Sequence, residues 1–183
     1  MSKRRGLTIV YTGDGKGKTS AALGAAMRAL GHGGRVLVIQ FLKGDWPVVY
    51  GELELAKKLH PQFEVLQLGR GFVKIMGDRK PFSEHVEAAK AALALAKERM
   101  FSGRYDMIIL DEINCALGCL DFRLIELKDI LELIRTKPPE MHLILTGRNA
   151  PPAVIEAADL VTEMREIKHP MKKGIPAQQG VDY

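Results

Sequence analysis

Short apolar, β-branched runs alternate with longer stretches in which alanine and leucine recur at helical spacing. Leu7–Tyr11, Arg35–Phe41, Phe63–Leu68, Met107–Leu110, His142–Leu145 and Leu160–Ile167 read as six strands. Ala21–Leu30, Gly51–Leu59, Phe82–Phe101, Leu124–Ile134 and Pro151–Ala158 read as the helices between them. Gly33-Gly34 stops the first helix, Ser83 is the expected N-cap of the third, and Pro138-Pro139 breaks the fourth. Strand–helix–strand repeats of this length make right-handed crossovers between parallel strands. The expectation is an α/β fold of three αβα layers around a mostly parallel sheet of about six strands. No linker or internal repeat divides residues 1–183. Residues 1–5 form a basic leader and 168–183 an irregular tail.

The most informative stretch is Thr12-Gly13-Asp14-Gly15-Lys16-Gly17-Lys18-Thr19-Ser20, between the first strand and the first helix. Strand, glycine-rich loop, Lys-Thr and helix is the layout of a phosphate-binding loop, which makes the fold P-loop NTPase-like (RecA-like). Its backbone N–H groups converge on one anion, and the helix N-terminus adds partial positive charge. Lys18 is placed to reach phosphate and Thr19 to bind Mg²⁺. The spacing is irregular. The first glycine of the usual motif falls on Thr12, Gly13 comes one residue late, and Lys16 is an additional cation.

Composition changes this picture little. The chain has 183 residues, 46% hydrophobic and 27% charged, which suits one soluble domain. No apolar run reaches the length that spans a bilayer, and the start lacks the core of a signal peptide, so the expected compartment is the cytoplasm. The two cysteines, Cys115 and Cys119, cannot complete a zinc site and read as buried free thiols. A net charge of +5 fits an anionic ligand. Aromatics at 6% argue against a nucleic-acid stacking platform.

In an open parallel sheet, ligands bind off the carboxyl ends of the strands. Asp111-Glu112 follows one apolar strand there and suits a metal held beside a phosphate loop. Arg148, in Thr146-Gly147-Arg148, is either a phosphate partner or a surface arginine. The loop after the second strand carries Lys43 and Trp46, the latter a ligand wall or a lid over the core. Gly69–Lys80, with three glycines and four basic residues, is either functional or a solvated loop. From the residues alone, the reading ends at a Mg-ATP-binding α/β protein.

Beyond the loop, the chain resembles the ATP:corrinoid adenosyltransferases of the P-loop type. The resemblance runs through Gln40-Phe41, Lys43-Gly44, Trp46-Pro47, Gly71-Phe72, Leu110-Asp111-Glu112, Thr146-Gly147-Arg148 and Lys168-His169 to the closing Ala177–Tyr183. It implies transfer of the 5′-deoxyadenosyl group of ATP to the cobalt(I) of a corrinoid such as cobalamin or cobinamide, with triphosphate as leaving group. Residues 12–20, with Arg148 and Trp46, would bind the nucleotide. Lys18 and Lys16 would stabilise the leaving group, and Thr19, Asp111 and Glu112 would hold Mg²⁺, or Mn²⁺ in its place. Phe72 would form an apolar wall beside cobalt. A homodimer is implied, with a flavoprotein or other reductant as partner. Lys74 departs from the tryptophan that relatives carry two residues after the phenylalanine. The short N-terminal segment, five residues before Gly6, argues against a lid over the partner's corrinoid site. The competing classes are a RecA-like ATPase or nucleotide kinase, and a nucleotide-gated binding module.

Overall fold

The computed structural model describes residues 5–44, 49–71, 73, 77–118 and 122–183. Trp46, Phe72, Lys74 and Cys119 lie outside these. Six strands form one sheet: β1 (Thr8–Thr12), β2 (Val36–Gln40), β3 (Phe63–Gln67), β4 (Met107–Asp111), β5 (His142–Thr146) and β6 (Leu160–Glu163). Their order is β3-β2-β4-β5-β1-β6, and every pairing is parallel. The expected mostly parallel sheet is therefore wholly parallel. One strand, β5, separates the loop-bearing β1 from the acid-bearing β4.

Alternation along the strands sends side chains to two faces. Val36, Val38, Met107 and Ile109 pack on one face with Ala22 and Ala26 of α1 (Lys18–Gly31) and Ala56 of α2 (Gly51–Leu59). Leu37, Ile39, Ile108 and Leu110 pack on the other with Ala89, Ala92 and Ala96 of α3 (Phe82–Met100). Ile130 and Leu133 of α5 (Leu127–Thr136) and Val154 of α6 (Pro152–Ala157) complete that layer. The alanines let α1 and α3 lie close against the sheet. Because β2 and β4 are covered on both faces, all ten of their residues are buried.

Three expectations need correction. Ser83 is not the N-cap of α3: Phe82 begins the helix, Pro81 is the cap residue, and the Glu84 N–H donates to the Pro81 carbonyl at 3.0 Å. α5 begins at Leu127 rather than Leu124, because the Leu124 and Ile125 amides donate to the carbonyl of Ala116, the last residue of the short helix α4 (Ile113–Ala116). β6 ends at Glu163 rather than Ile167. Its one neighbour, β1, pairs Thr12 with Glu163 and then turns into the loop. The chain from Met164 instead lies against that loop. A single 3₁₀ turn, Pro170–Lys173, interrupts the tail. Among the described residues no helix is long and apolar enough to cross a membrane.

Candidate active site

The carboxyl edge of β1, β2, β4 and β5 gathers the polar residues. Eight polar or charged residues are buried among those described, and six of them lie on this edge: Thr12, Lys18, Gln40, Asp111, Thr146 and Asn114. Burying polar groups costs free energy unless each finds a partner, so their convergence marks a built site.

The loop's irregular spacing has a structural reason. Thr12 is the last residue of β1, and its Oγ1 accepts the Ala150 N–H at 3.0 Å, a contact glycine could not make. The backbone turns at Gly13 instead, with φ +93°. A Cβ there would lie 2.4 Å from the Met164 carbonyl oxygen. The Gly15 N–H donates to that same carbonyl at 2.7 Å. The chain leaving β6 thus braces the outer side of the loop. Gly17, φ +110°, is the N-cap residue of α1. The Asp14 carbonyl accepts from Arg148 Nη2 at 3.3 Å, which places Arg148 beside the loop. Lys16 is ion-paired with Asp182 of the tail. Ser20 is exposed in the first turn of α1.

Lys18 curls back into its own loop. Its Nζ donates to the Gly13 and Gly15 carbonyls, both at 2.7 Å. Burial pushes the ammonium below its ordinary pKa. Glu112 pulls it back up, and Arg148 adds to the lowering.

Thr19, in the first turn of α1, meets Asp111 although β5 lies between β1 and β4 in the sheet. Thr19 Oγ1 donates to Asp111 Oδ1 at 2.7 Å, and Thr146 Oγ1 donates to the same oxygen at 2.8 Å. Asp111 is fully buried. Its Oδ2 faces Lys43 Nζ at 3.3 Å and Gln40 Nε2 at 3.4 Å. A buried carboxylate beside a threonine hydroxyl is a hard-oxygen set suited to Mg²⁺. The ammonium already on Oδ2 shows that the carboxylate is built to meet positive charge.

Glu112 sits at φ 62°. This left-handed conformation costs a non-glycine residue about 1–3 kcal/mol. Its N–H donates to Thr146 Oγ1 at 2.9 Å, which offsets part of that cost. The Glu112 carboxyl and the Lys18 ammonium interact electrostatically. Burial and then Asp111 hold this carboxyl above its usual range, while the Cys115 thiol and Lys18 act the other way. Cys115 is buried, as expected. Among the described residues no group of three or more His, Cys, Asp and Glu side chains forms a metal cluster.

Four residues absent from the expected site belong to this edge: Thr146, Gln40, Lys43 and Glu52. Gln67 Nε2 donates to Gln40 Oε1 at 2.8 Å, and Gln40 Nε2 donates to Glu52 Oε1 at 3.0 Å. Thr146 and Lys43 stand in the strand-end segments singled out above. Glu52 carried no signal, since an acid in the first turn of a helix is ordinary. Phe72, expected beside the corrinoid, and Trp46, expected at the nucleotide, fall outside the described residues. His169 serves the tail: its Nδ1 accepts the Met171 N–H at 3.2 Å.

Sheet, loop and buried acid define a P-loop nucleotide-binding α/β protein. Residues 4–183 match the family described as ATP:corrinoid adenosyltransferase BtuR/CobO/CobP, and the chain belongs to that family of enzymes. It is 42% identical over 181 residues to a corrinoid adenosyltransferase of Sinorhizobium sp., covering 98% of this chain and 81% of that protein. It is 38% identical over 179 residues to one of Pseudomonas aeruginosa, covering 98% and 84%. It is 35% identical over 179 residues to one of Escherichia coli (strain K12), covering 98% and 86%.

Proposed function

We propose that this chain transfers the 5′-deoxyadenosyl group of ATP to the cobalt(I) of a corrinoid of the cobalamin or cobinamide type, in adenosylcobalamin synthesis. The observation that carries the reading is the joining of the phosphate loop to the buried Asp111 through Thr19, in a chain matched to the family along residues 4–183. Cobalt(I) supplies the electron pair that attacks C5′. The bond from C5′ to the triphosphate oxygen breaks, and that pair leaves on inorganic triphosphate. The nucleophile carries no proton, so the protein needs no general base.

The protein's task is to hold a highly charged leaving group and exclude water. The N–H groups at the start of α1 bind the triphosphate. Lys18 leaves the Gly13 and Gly15 carbonyls to meet it, and Lys16 exchanges Asp182 for phosphate. Arg148 adds a third cation at Asp14. Thr19 and Asp111, with Glu112 beside them, would hold Mg²⁺ or Mn²⁺, which would neutralise charge on the leaving group. Phe72 walls the cobalt on the corrinoid side, and Trp46 lines the nucleotide pocket. By family resemblance the enzyme is a cytoplasmic homodimer, served by a flavoprotein or another one-electron reductant.

The test is incubation with ATP, Mg²⁺ and chemically reduced cobalamin, following the visible spectrum for a cobalt–carbon bond and the phosphates by chromatography. Alkylated corrinoid and triphosphate in equal amounts are expected. Release of ADP or orthophosphate would assign the loop to γ-phosphate chemistry, as in an ATPase or kinase.

A further inference from the structure

Lys43 is placed where a surface lysine would not be. It stands just beyond β2, and its side chain is 19% exposed. Its ammonium lies 3.3 Å from Asp111 Oδ2 and 3.4 Å from Glu52 Oε1. The same nitrogen lies 4.5 Å from the centroid of the Tyr50 ring, a cation–π contact. The transfer chemistry above gives it no task.

The two oxygens of Asp111 are divided between roles. Oδ1 takes the hydroxyls of Thr19 and Thr146, and Oδ2 takes Lys43 with the more distant Gln40 amide. A divalent cation held by Asp111 and Thr19 would stand beside the Lys43 ammonium, like charge against like charge. A shift of the ammonium away from Asp111 relieves that conflict. Glu52 is the alternative partner: its carboxylate is mostly buried, lies 3.4 Å from the Lys43 ammonium, and is held by the Gln40 amide at 3.0 Å. Gln40 touches both carboxylates, so the spacing between them is fixed from β2.

We propose that Lys43 is a tethered cation that competes with the divalent metal for Asp111 and hands its contact to Glu52 when the metal binds. Loading of the metal site would thereby be transmitted to Glu52 in α2. This inference rests on the reading of Asp111 and Thr19 as metal-holding residues.

The test is Mn²⁺ binding to the full chain, without nucleotide or corrinoid, measured from the electron-paramagnetic-resonance signal of free Mn²⁺. Lys43→Met should tighten Mn²⁺ binding about 5- to 150-fold, the usual range for coupled sites. Lys43→Arg keeps the charge and should bind as the native chain does. Glu52→Gln removes the alternative partner and should weaken binding, and the Lys43→Met/Glu52→Gln double variant should bind like Lys43→Met. Circular dichroism checks folding, with Lys43→Gln replacing Lys43→Met if the latter does not fold. Unchanged or weaker binding by Lys43→Met, with binding lost in Asp111→Asn, overturns the proposal and leaves the metal reading standing. A Glu52→Gln loss that persists in the Lys43→Met background means Glu52 acts on the metal directly, and overturns the hand-over. Native binding by Asp111→Asn overturns both the proposal and the metal reading.

Discussion

Thr146 holds Asp111: its Oγ1 donates to Asp111 Oδ1 at 2.8 Å while Thr146 Oγ1 also accepts the Glu112 N–H at 2.9 Å. One fully buried side chain on β5 thus orients one acid of the strand end and supports the left-handed backbone of the next. Thr146→Val keeps the shape and deletes both bonds, leaving a buried acceptor short of a donor. It should cost about 1–3 kcal/mol of stability and lower the transfer rate, while Thr146→Ser restores both. Chemical denaturation and initial rates on the three proteins check this. A valine variant with native rate would limit Thr146 to packing.

Lys18 should matter to chemistry more than to folding. Lys18→Ala removes the ammonium aimed at the loop and should reduce the transfer rate by about 10²–10³-fold, the usual cost of losing one preorganised charge-stabilising group. The far-ultraviolet dichroism should be unchanged. Native turnover in this variant would remove Lys18 from the mechanism.

Gly13 and Gly24 should respond oppositely to the same substitution. A methyl at Gly13 would lie 2.4 Å from the Met164 carbonyl on a backbone at φ +93°, whereas Gly24 in α1 has nothing within 4 Å. Gly13→Ala should destabilise by about 1–3 kcal/mol and weaken ATP binding. Gly24→Ala should stabilise by about 0.5–1 kcal/mol. Denaturation midpoints of the two variants decide the matter.

Asp159 ties the start of β1 to the edge of the sheet. Its carboxylate accepts the Thr8 N–H at 2.8 Å and pairs with Arg5 at 2.8 Å. The Thr8 amide holds its pKa below the ordinary 3.8, against the opposing effect of burial, and Arg5 and Lys137 add to the lowering. A depressed carboxyl contributes stability that is fully present above 3.8 and is lost as pH falls through the lower native value. Asp159→Asn should therefore reduce stability near neutrality and flatten the acid limb below pH 3.8. Denaturation midpoints across that range test it, and parallel acid limbs would count against the assignment.

Phe72→Ala should slow transfer most when cobalt(II) must be reduced on the enzyme, since an apolar wall acts by keeping an axial ligand off cobalt. Rates with a reductant present and with preformed cobalt(I) should differ in their sensitivity. Equal losses would contradict the wall.

Much of this architecture was legible because it is local. Alternation in Val36–Gln40 and Met107–Asp111 sets two buried faces. The lysine and threonine of the loop announce phosphate through spacing alone. Local rules failed where a distant segment intervened. Ser83 has the chemistry of an N-cap, yet the chain enters α3 at Phe82 after Pro81. Leu124 has the periodicity of α5, yet its amide is taken by Ala116. The apparent fault at Thr12 is resolved only by Ala150, far along the chain.

By itself, then, the sequence determined the order of strands and helices, the phosphate loop, and the acid pair that ends β4, because backbone propensity and hydrophobic period act between near neighbours. Only the tertiary structure decided that Thr146 would brace both acids, that Met164 would back the loop, and that Lys43 would stand between Asp111 and Glu52. These contacts join residues remote in sequence, and a buried charge finds its partner only when the sheet has brought the strand ends together.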